Sequence, residues 1–487
     1  MQINWKDERN LTMLTDYYEF TMSNGYFING LQDKVAVFDM FFRRIPDGGG
    51  FAIFAGLEQV IDYLNNLKFT KEDIEYFRSK GCFDEGFLDY LANFKFACDV
   101  WAMKEGTVMF PNEPILTIRG PVIQCQLVET MILLTINHQS LICTKANRMV
   151  RAAEGRTIME FGSRRAQSYD AAILGARATY IGGCGATACA IADRDYGIPA
   201  VGTMAHAWVQ MFDTELEAFE KYARIYPDNC TLLVDTYNVL KSGIPNAIKV
   251  FDEIVVPAGH RPKGVRIDSG DIAYLSKKAR KMLDDAGYSD VKIVASNSLD
   301  EYIIRDLIRQ GAEIDSFGIG ERLITSKSDP VFGGVYKVVA VENNGEYKPR
   351  IKVSETLEKI TNPCFKRLYR LYNADSGKAE ADYICCRDEE LYTSMPITIT
   401  IFDPVATWKQ KTLDHVYAKE LLVPIFEGGE LVYEQPSIPE IKAYCASQVD
   451  SLWDEVKRFE NPHNYYVDMS QKLWDMKNDM INKYKPR

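Results

Sequence analysis

The chain has 487 residues, of which 46% are hydrophobic and 26% are charged, and its net charge at pH 7 is −11. This length predicts two or three globular domains with large cores. The acidic balance argues against a general binder of nucleic acids or acidic membranes, because both kinds of binder need a basic surface. Any anionic ligand must therefore be bound by a local group of arginine and lysine side chains.

The eleven cysteines are scattered along the chain and form no CxxC pair. Their spacing is typical neither of a zinc site nor of a dense disulfide framework, and it predicts free thiols in a reducing cytoplasm. The first ten residues, MQINWKDERN, are charged and contain no apolar run, so we expect no secretory signal peptide.

Residues 1–140 mix helical and strand patterns without a regular repeat and predict a mixed α/β N-terminal domain. The run VAVFDMFFRR (35–44) predicts a strand. The most apolar long segment, VIQCQLVETMILLTI (122–136), is interrupted by Gln124, Gln126 and Glu129. It is too short and too polar to span a bilayer and predicts a buried helix.

Residues 141–355 alternate between short β-rich runs and helical stretches. The β-rich runs are TIMEFGSRR (157–165), ATYIGG (178–183), PAVGTMAH (199–206), TLLVDTYN (231–238), GVRIDSGD (264–271), KIVASN (292–297) and DSFGIGE (315–321). Helices are predicted at 214–226 and at 272–287, the second ending at Gly287. This alternation predicts a parallel sheet, and about seven strands favour an irregular (β/α) barrel, with an open doubly wound sheet as the alternative.

Residues 356–487 contain strand patterns bounded by proline, MPITITIFDP (395–404) and ELLVPIF (420–426), followed by a polar helical tail. We therefore predict a C-terminal region packed beside the other two domains.

Polar residues and glycines follow the β-rich runs at their C-terminal ends, which meet on one face of a parallel barrel. They are Arg164, Arg165, Gly182, Gly183, Thr203, His206, Asp235, Asn238, Arg266, Asp268, Asp271, Ser296, Asn297, Gly318 and Gly320. Arginines bind carboxylates and phosphates, glycine turns expose N–H groups to phosphate, and carboxylates suit Mg²⁺. The combination predicts a phosphorylated sugar substrate with magnesium.

Each of these motifs taken alone has a simpler explanation. Paired arginines are usually solvated, and the stretch RIDSGD (266–271) is typical of a turn that caps a helix. The Gly-Ile-Gly of residues 318–320 lacks the third glycine of a dinucleotide fingerprint. His206, close to Trp208, could be a packed core residue. Only their shared location at strand ends favours a functional interpretation.

Ten blocks in order along the chain resemble the nicotinate phosphoribosyltransferase family. They are LTDYYEFTM (14–22), EFGSRRAQ (160–167), GTMAHAWV (202–209), DTYN (235–238), VRIDSGD (265–271), FGIGERLITS (317–326), FGGVYKVV (332–339), EKITNP (358–363), LLVPIFEGGELVYEQPS (421–437) and NPHNYYVDMS (461–470). The resemblance implies a type II phosphoribosyltransferase: an irregular α/β barrel, a mixed N-terminal domain, and a cytoplasmic homodimer whose active sites lie between subunits.

The implied reaction joins nicotinate to phosphoribosyl pyrophosphate, coupled to ATP hydrolysis, as the first step of NAD synthesis from nicotinate. By resemblance, His206 accepts phosphate from ATP, a step open to a neutral imidazole near pH 7. The partners implied are these small molecules and Mg²⁺, without nucleic acid or membrane.

The resemblance also assigns roles to single residues. Tyr18, expected from the partner subunit, and Phe161 would sandwich the pyridine ring. Arg266 and Thr203 would bind the nicotinate carboxylate, and Arg164 would lie between ring and phosphates. The remaining roles are magnesium or ribose binding by Asp235 and Asp268, and seating of the 5′-phosphate by Gly318, Gly320 and Thr325. Packing remains the alternative for the two aromatic rings, and helix capping for Asp235.

Glu321 departs from the family pattern, in which threonine often follows the phosphate-loop glycines. Because a carboxylate repels phosphate, we expect it to turn outward, to cap the helix N-terminus or to contact Arg322.

Two rival functions stay open. The first is nicotinamide phosphoribosyltransferase, whose family places an aspartate where GGCGATACA (182–190) has no carboxylate. The second is a non-catalytic barrel that only binds a phosphorylated sugar.

Overall fold

The structure is a computed structural model that describes residues 9–356 and 359–484. The expectation for the first ten residues falls almost entirely outside the described residues, as does Glu358 in the block 358–363. The chain divides into two compact units: Met1–Leu141 together with Val331–Arg487 form unit 1, and Ile142–Pro330 form unit 2. The boundaries predicted near residues 140 and 355 stay a prediction.

The strands in chain order are β1 Val35–Phe42, β2 Ala52–Ile53, β3 Asp99–Ala102, β4 Val108–Met109, β5 Leu116–Pro121, β6 Thr157–Glu160, β7 Ala186–Thr187, β8 Thr231–Leu233, β9 Gly264–Ile267, β10 Lys292–Asn297, β11 Ser316–Ile319, β12 Gly334–Asn343, β13 Glu346–Pro349, β14 Lys366–Asn373, β15 Ala379–Cys386, β16 Ile397–Phe402, β17 Gln410–Glu420, β18 Val423–Glu427, β19 Glu430–Leu431 and β20 Tyr466–Met469.

The α-helices are α1 Tyr17–Ile28, α2 Leu57–Asn65, α3 Lys71–Ser79, α4 Glu85–Ala92, α5 Val122–Leu127, α6 Glu129–Ala152, α7 Tyr169–Ile181, α8 Ala190–Tyr196, α9 His206–Gln210, α10 Glu215–Ile225, α11 Ile244–Val250, α12 Ile272–Asp285, α13 Glu301–Arg309, α14 Glu321–Ile324, α15 Ile438–Ser451 and α16 Gln471–Lys483. Short 3₁₀ turns at Pro46–Gly48, Ser163–Arg165 and Pro227–Asn229 and π-helical turns at Val239–Gly243 and Phe251–Val255 also occur.

Unit 2 is built on one six-stranded sheet with the strand order β7-β6-β11-β10-β9-β8. Every pairing in this sheet is parallel. Helices α7–α13 come from the connections between its strands, and α14 follows the last strand, β11. Such a sheet has its carboxyl strand ends along one edge, where ligands bind in α/β proteins. The predicted α/β class with its irregular parallel barrel is confirmed.

Five of the seven predicted β-rich runs contain strands of this sheet, namely β6, β8, β9, β10 and β11. The run ATYIGG (178–183) is not a strand, because its first four residues form the last turn of α7, which is capped at its start by Ser168. Short apolar runs fit a buried helix as well as a strand. The strand beside β6 is instead β7, and PAVGTMAH (199–206) contributes only a bridge between Ala200 and Thr187.

Helix α12 confirms the predicted helix and its glycine stop. The side chain of Asp271 accepts a hydrogen bond from the backbone N–H of Tyr274 at the N-terminus. At the C-terminus Gly287 has a φ of +80°, and the N–H of Tyr288 donates to the carbonyl of Leu283 at 2.8 Å. This bond pattern is the Schellman motif, in which glycine best adopts the left-handed conformation.

Unit 1 contains two larger sheets. The seven-stranded sheet has the order β13-β12-β1-β5-β3-β18-β19, and the five-stranded sheet has the order β16-β17-β14-β15-β20. Strands β12 and β13, which fall within the predicted barrel segment, belong to the first sheet, where β12 pairs antiparallel with β1. Unit 1 therefore combines segments from both ends of the chain.

Several predictions for unit 1 are confirmed: β1 within 35–44, β16 within 395–404, the polar tail helix α16, and β18, which begins inside 420–426 and ends one residue beyond it. The single buried helix predicted for 122–136 is wrong in one respect. Two helices occupy this segment, because α5 ends at its C-cap Val128 and α6 then begins at Glu129 and continues to Ala152. No helix among residues 9–356 and 359–484 is long and apolar enough to cross a membrane.

Candidate functional site

The candidate site lies at the carboxyl ends of three neighbouring strands of unit 2. Asp235 follows β8, Arg266 and Asp268 lie at and after the end of β9, and Ser296 lies at the end of β10. Because β8, β9 and β10 are parallel neighbours, their ends bring these side chains together.

Arg266 is the central side chain of this group and is only 16% exposed. Its Nε donates to Ser296 Oγ at 2.8 Å, and its terminal nitrogens donate to Thr203 Oγ1 at 3.3 Å and to Asp268 Oδ1 at 3.2 Å. Three different segments therefore fix the guanidinium plane. The bonds to Thr203 and Asp268 are long enough to be exchanged for bonds to an incoming anion.

Phe161 follows β6 and places its ring beside the arginine. The guanidinium carbon of Arg266 lies 5.6 Å from the centroid of that ring. A Cβ atom at Gly318 would lie 2.5 Å from two ring carbons of Phe161. Gly318, expected to seat a phosphate, thus has a packing reason to be glycine: a side chain there would displace the aromatic ring.

His206 is the first residue of α9, and its side chain is 40% exposed. Its Nδ1 lies 3.1 Å from Thr236 Oγ1. Its Nε2 faces two carboxylates, at 3.9 Å from Asp235 Oδ1 and 3.8 Å from Asp268 Oδ2. Packing in the core, the alternative interpretation of His206, does not fit this position, because the side chain is 40% exposed and both ring nitrogens face polar groups.

Asp235 is buried and holds the neighbouring loop. Its Oδ2 accepts hydrogen bonds from the backbone N–H of Asp268 at 2.9 Å and from Ser269 Oγ at 2.6 Å. Its Oδ1 is buried without a hydrogen-bond partner among the described residues. The carboxylate thus braces the loop after β9, and it has an unused oxygen that faces His206.

Glu160, the last residue of β6, is fully buried next to Phe161. Its Oε1 accepts a hydrogen bond from the backbone N–H of Gly162, and its Oε2 accepts one from Thr187 Oγ1 at 2.6 Å. Burial raises the pKa of this carboxyl, and the two hydrogen bonds counteract part of the rise. Glu160 begins the family block EFGSRRAQ (160–167), but no role for it could be inferred from the sequence.

The loop after β11 contains the other residues expected to bind phosphate. Gly320 caps α14, and a Cβ there would lie 3.2 Å from the carbonyl oxygen of Phe161. The hydroxyl of Thr325 donates to the carbonyl of Glu321 at 2.7 Å, so it is engaged within its own helix.

The Glu321 carboxylate turns toward two cations, Lys327 at 2.6 Å and Arg165 at 3.9 Å. The hydrogen bond from Lys327 is the main cause that holds the pKa of Glu321 below its usual value. Arg322 pairs instead with Asp300. Of the three expected arrangements, contact with Arg322 is wrong, because this arginine is already bound to another carboxylate.

Two predicted site residues are not part of this group. Arg164 is exposed in the 3₁₀ turn Ser163–Arg165, without a described bond to the other site residues. Tyr18 belongs to unit 1, where it lies on α1 with 47% of its surface exposed. Burial, followed by the charges of Glu129, Glu19 and Asp16, raises the pKa of Tyr18 to about 12.

The structure therefore brings six of the predicted residues into one group: Phe161, Thr203, His206, Asp235, Arg266 and Asp268. Sequence reasoning gave no role to Thr236 or Thr187, because a threonine next to a strand end carries no distinctive signal. Ser296 was noted only for its position at a strand end, which is the one signal that could have found it.

A cavity of about 480 Å³ borders the segment that contains Thr203. It is lined by Gly202, Thr203, Met204, Ala205, Trp208, Tyr222, Tyr226 and Asn229. None of these lining residues is charged, so this cavity lacks the cations that a phosphate site needs.

Three models of one protein family match the chain. The model for the N-terminal domain of nicotinate phosphoribosyltransferase matches residues 13–137, the model for the nicotinate phosphoribosyltransferase family matches 156–379, and the model for the C-terminal domain matches 365–477.

Curated relatives match over nearly their whole lengths. Nicotinate phosphoribosyltransferase of Bacillus subtilis is 43% identical over 100% of this chain and 98% of its own length. Nicotinate phosphoribosyltransferase pncB2 of Mycobacterium tuberculosis is 37% identical over 95% of this chain and 92% of its own length.

Solved structures share the fold. The crystal structure of human nicotinic acid phosphoribosyltransferase has a TM-score of 0.85 at 28% identity and covers 96% of this chain and 99% of its own. Nicotinate-nucleotide pyrophosphorylase from Pyrococcus furiosus, at 23% identity, has a TM-score of 0.67 and covers 93% of this chain and 99% of its own, which supports the fold alone.

Proposed function

The chain belongs to the nicotinate phosphoribosyltransferase family of enzymes, and from that premise we propose that it joins nicotinate to phosphoribosyl pyrophosphate. In this reaction the pyridine nitrogen attacks C1 of the ribose, a C–N bond forms, and the bond from C1 to pyrophosphate breaks. The products are nicotinate mononucleotide and pyrophosphate, as in the first step of NAD synthesis from nicotinate.

The observation that carries this proposal is the arrangement of Arg266 beside Phe161 and Thr203. The guanidinium supplies donors for a planar carboxylate, and the hydroxyl of Thr203, 3.3 Å from a guanidinium nitrogen, supplies another. The ring of Phe161, 5.6 Å from the Arg266 guanidinium carbon, offers a face on which a pyridine can stack. A flat aromatic acid is the ligand that uses both features at once.

We further propose that ATP phosphorylates His206 during the cycle. With Nδ1 next to Thr236, the Nε2 atom is the nitrogen that attacks the γ-phosphorus, ADP leaves, and water later hydrolyses the phosphohistidine to phosphate. The side chain is 40% exposed, so a nucleotide can reach it.

Asp235 and Asp268 fit a magnesium ion as well as the predicted ribose contact. The unpartnered Asp235 Oδ1 and the nearby Asp268 are oxygen ligands of the kind Mg²⁺ prefers, and Mg²⁺ takes few protein ligands because it keeps waters and substrate phosphates. No three His, Cys, Asp or Glu side chains of the described segments form a metal cluster. A bound Mg²⁺ would neutralise charge on the leaving pyrophosphate.

We assign the phosphoribosyl group to the loop after β11. Gly320 N-caps α14 and would present its backbone to the 5′-phosphate, whereas Gly318 contributes by leaving space for the ring of Phe161. Thr325 lies at the end of α14, and the exposed Arg164 would turn between the ring and the phosphates.

The proposal also includes a homodimer in which Tyr18 completes the site of the partner subunit, and a cytoplasmic location, which suits eleven free cysteines. Mixing two inactive variants, Tyr18→Ala and Arg266→Ala, tests the shared site. Mixed dimers contain one intact site only if Tyr18 acts across the interface, so activity should reappear on mixing. If subunit exchange is verified and no activity returns, the two subunits do not share an active site through Tyr18.

The direct test of substrate is product analysis with Mg²⁺, phosphoribosyl pyrophosphate and either nicotinate or nicotinamide, with and without ATP. The segment 182–190 offers no carboxylate for an amide, so nicotinate should be turned over faster by orders of magnitude. Equal rates with the two bases would instead support nicotinamide phosphoribosyltransferase as the function.

The second test separates the enzyme from a barrel that only binds a sugar phosphate. Incubation with γ-labelled ATP should leave an acid-labile, base-stable label that is lost in His206→Ala. The same variant should retain slow transfer that no longer responds to ATP, because Arg266, Asp235 and Asp268 remain. A His206→Ala enzyme whose transfer still depends fully on ATP would show that another residue carries the phosphate.

A further inference from the structure

Glu160 is a buried carboxyl group to which no cation of the described residues is bonded. Its two oxygens accept hydrogen bonds from a backbone N–H and from a hydroxyl, those of Gly162 and Thr187. Burying a carboxyl that has no opposite charge is costly, and a neutral side chain of the same size would fill the space at lower cost. A role in packing alone therefore does not account for a glutamate at this position.

One arm of Glu160 controls the position of Phe161. The bond from the N–H of Gly162 closes a tight turn around Phe161, whose own N–H donates to the carbonyl of Ile319 at 2.7 Å. These two bonds fix the backbone on both sides of the aromatic ring that lies next to Arg266.

The other arm controls the segment that leads to His206. Thr187 Oγ1 donates to Glu160 and accepts from the N–H of Cys189 at 3.0 Å, so its hydroxyl has a fixed direction. The backbone of Thr187 in turn bonds Pro199 at 3.0 Å and Val201 at 2.9 Å. The described backbone bonds that anchor this segment therefore end at Val201, a few residues before Thr203 and His206.

We propose that Glu160 is a positioning residue that sets Phe161 and the segment 199–206 relative to each other through its bonds to Gly162 and Thr187. One side chain then holds both the ring that would stack on the base and the segment 199–206. This segment would bind the carboxylate of the base and carry the phosphate. The inference rests on the proposed function, because it assigns Phe161, Thr203 and His206 to that reaction.

The test compares Glu160→Gln, Thr187→Val and Thr187→Ser in the full-length enzyme. The amide of Gln can accept from only one of the two donors and turns its own N–H toward the other. Valine has the shape of threonine without the hydroxyl, and serine retains the hydroxyl. Thr179→Val is the matched control, since Thr179 is also buried in unit 2 and its hydroxyl bonds only a carbonyl of its own helix, at 2.8 Å.

We expect Glu160→Gln and Thr187→Val each to raise the KM for nicotinate about tenfold and to form more ADP per nucleotide produced, because a misplaced ring and loop weaken base binding and coupling. The KM for phosphoribosyl pyrophosphate should change much less. Thr187→Ser should restore values within about twofold of wild type, as should Thr179→Val, whose lost bond is local.

The inference is overturned if Thr187→Val and Glu160→Gln keep the wild-type KM for nicotinate and the wild-type ADP ratio. It is also overturned if Thr187→Val, Glu160→Gln and the control Thr179→Val all lose activity only in proportion to a lower Tm. A raised KM for nicotinate in Thr187→Val together with a wild-type KM in Glu160→Gln would indicate that the Thr187 hydroxyl contacts the substrate itself. This result would also overturn the inference. A wild-type enzyme that makes no nucleotide would instead refute the proposed function.

Discussion

Two arginine–aspartate pairs, one in each unit, show how differently the same two side chains can be used. Arg370 and Asp382 of unit 1 are completely buried and joined by two short bonds of 2.7 and 2.6 Å. Arg266 and Asp268 of unit 2 are partly exposed and joined by one longer bond of 3.2 Å. The first pair is closed to any ligand, and the second is open to one.

The surroundings of the two pairs extend the contrast. Arg370 also donates to Gln448 and to the carbonyl of Val108, and it lies against the stacked rings of Phe110 and Tyr465. Close to Arg266, in contrast, one carboxylate oxygen of Asp235 has no hydrogen bond from any residue in 9–356 or 359–484. A fully bonded buried pair serves stability, whereas unused bonding capacity at strand ends is what a binding site requires.

The largest effect is expected when the closed pair is broken. Arg370→Ala should lower the free energy of unfolding by about 3–5 kcal/mol, because it leaves Asp382 buried without its counter-ion. Urea unfolding followed by circular dichroism measures the change, and the KM for nicotinate of the folded fraction should stay at the wild-type value.

Arg367→Ala is the control for that measurement. Arg367 lies on the same strand, β14, and binds Glu420 at 2.8 and 3.0 Å, but both side chains are partly exposed. Its loss should cost no more than about 1 kcal/mol. Similar losses for the two variants would mean that burial does not separate the two kinds of ion pair in this protein.

The open pair should give the opposite result. Arg266→Lys keeps the charge and loses the planar fork that bonds Ser296, Thr203 and Asp268, so kcat/KM for nicotinate should fall about 100-fold. The free energy of unfolding should change by no more than about 1 kcal/mol, because lysine keeps a positive charge beside Asp268. Steady-state kinetics and urea unfolding of the same preparation check both statements.

Arg261→Lys provides the comparison within unit 2, since Arg261 binds Asp290 at 2.6 Å on the exposed surface. This variant should match the wild type in both measurements. If Arg266→Lys were severely unstable but kinetically normal per folded molecule, the arginine would be structural and the contrast between the two pairs would disappear.

Glu19 is intermediate between the fully bonded Asp382 and the partly bonded carboxylates near Arg266. It is a buried carboxyl in unit 1 with one hydrogen-bonded oxygen. Thr130 donates to its Oε1 at 3.0 Å, and its Oε2 is buried without a described partner. Burial is the main cause that raises the pKa of Glu19 to about 8 from a usual value of 4.5. The folded chain therefore keeps a proton that the unfolded chain loses, so stability falls as the pH rises from about 5 to about 8.

Glu19→Gln removes this titration. The wild type should lose stability over this range, and the variant should not. The free energy of unfolding of Glu19→Gln minus that of wild type should therefore increase by about 1–3 kcal/mol between pH 5 and pH 8 and then stay constant. Urea titrations at several pH values measure the difference, and Glu72→Gln on the exposed surface should show none. A difference between Glu19→Gln and wild type that is constant with pH would mean that Glu19 is ionised in the folded protein, as a carboxylate with a nearby cation would be.

The sequence predicted the parts of the fold that depend on local pattern. Helix α12 shows helical spacing and a glycine stop, and strand β9 ends in a run of polar residues, so both were found. The segment ATYIGG (178–183) was misread because burial of α7 against its own unit, and not its β-branched residues, decides its structure. The mixing of β12 with β1 could not be foreseen, since strand partners far apart in the chain leave no local pattern.

The candidate site divides in a similar way. Arg266, Asp268 and Asp235 stand out in a sequence because charged residues directly after apolar strands are unusual. Glu160 and Thr187 were missed because their importance lies in a single hydrogen bond between two strands, which requires coordinates to detect. Only the family blocks pointed to Phe161, whose ring in a sequence is the same as that of any core phenylalanine.

Glu321 offers the smallest expected effect and the finest test of the open site. Its carboxylate is already held by Lys327 and lies near Arg165, so it does not face a bound phosphate freely. Glu321→Thr, which introduces the residue common in the family, releases the two cations. Because exposed ion pairs are worth at most about 1 kcal/mol, the KM for phosphoribosyl pyrophosphate should fall by no more than about threefold, and less at high salt. Lys327→Gln should raise that KM by a similar factor. A tenfold or larger drop of the KM for phosphoribosyl pyrophosphate in Glu321→Thr would mean that the carboxylate repels the phosphate directly. In that case the bond between Glu321 and Lys327 would have to break when the ligand binds.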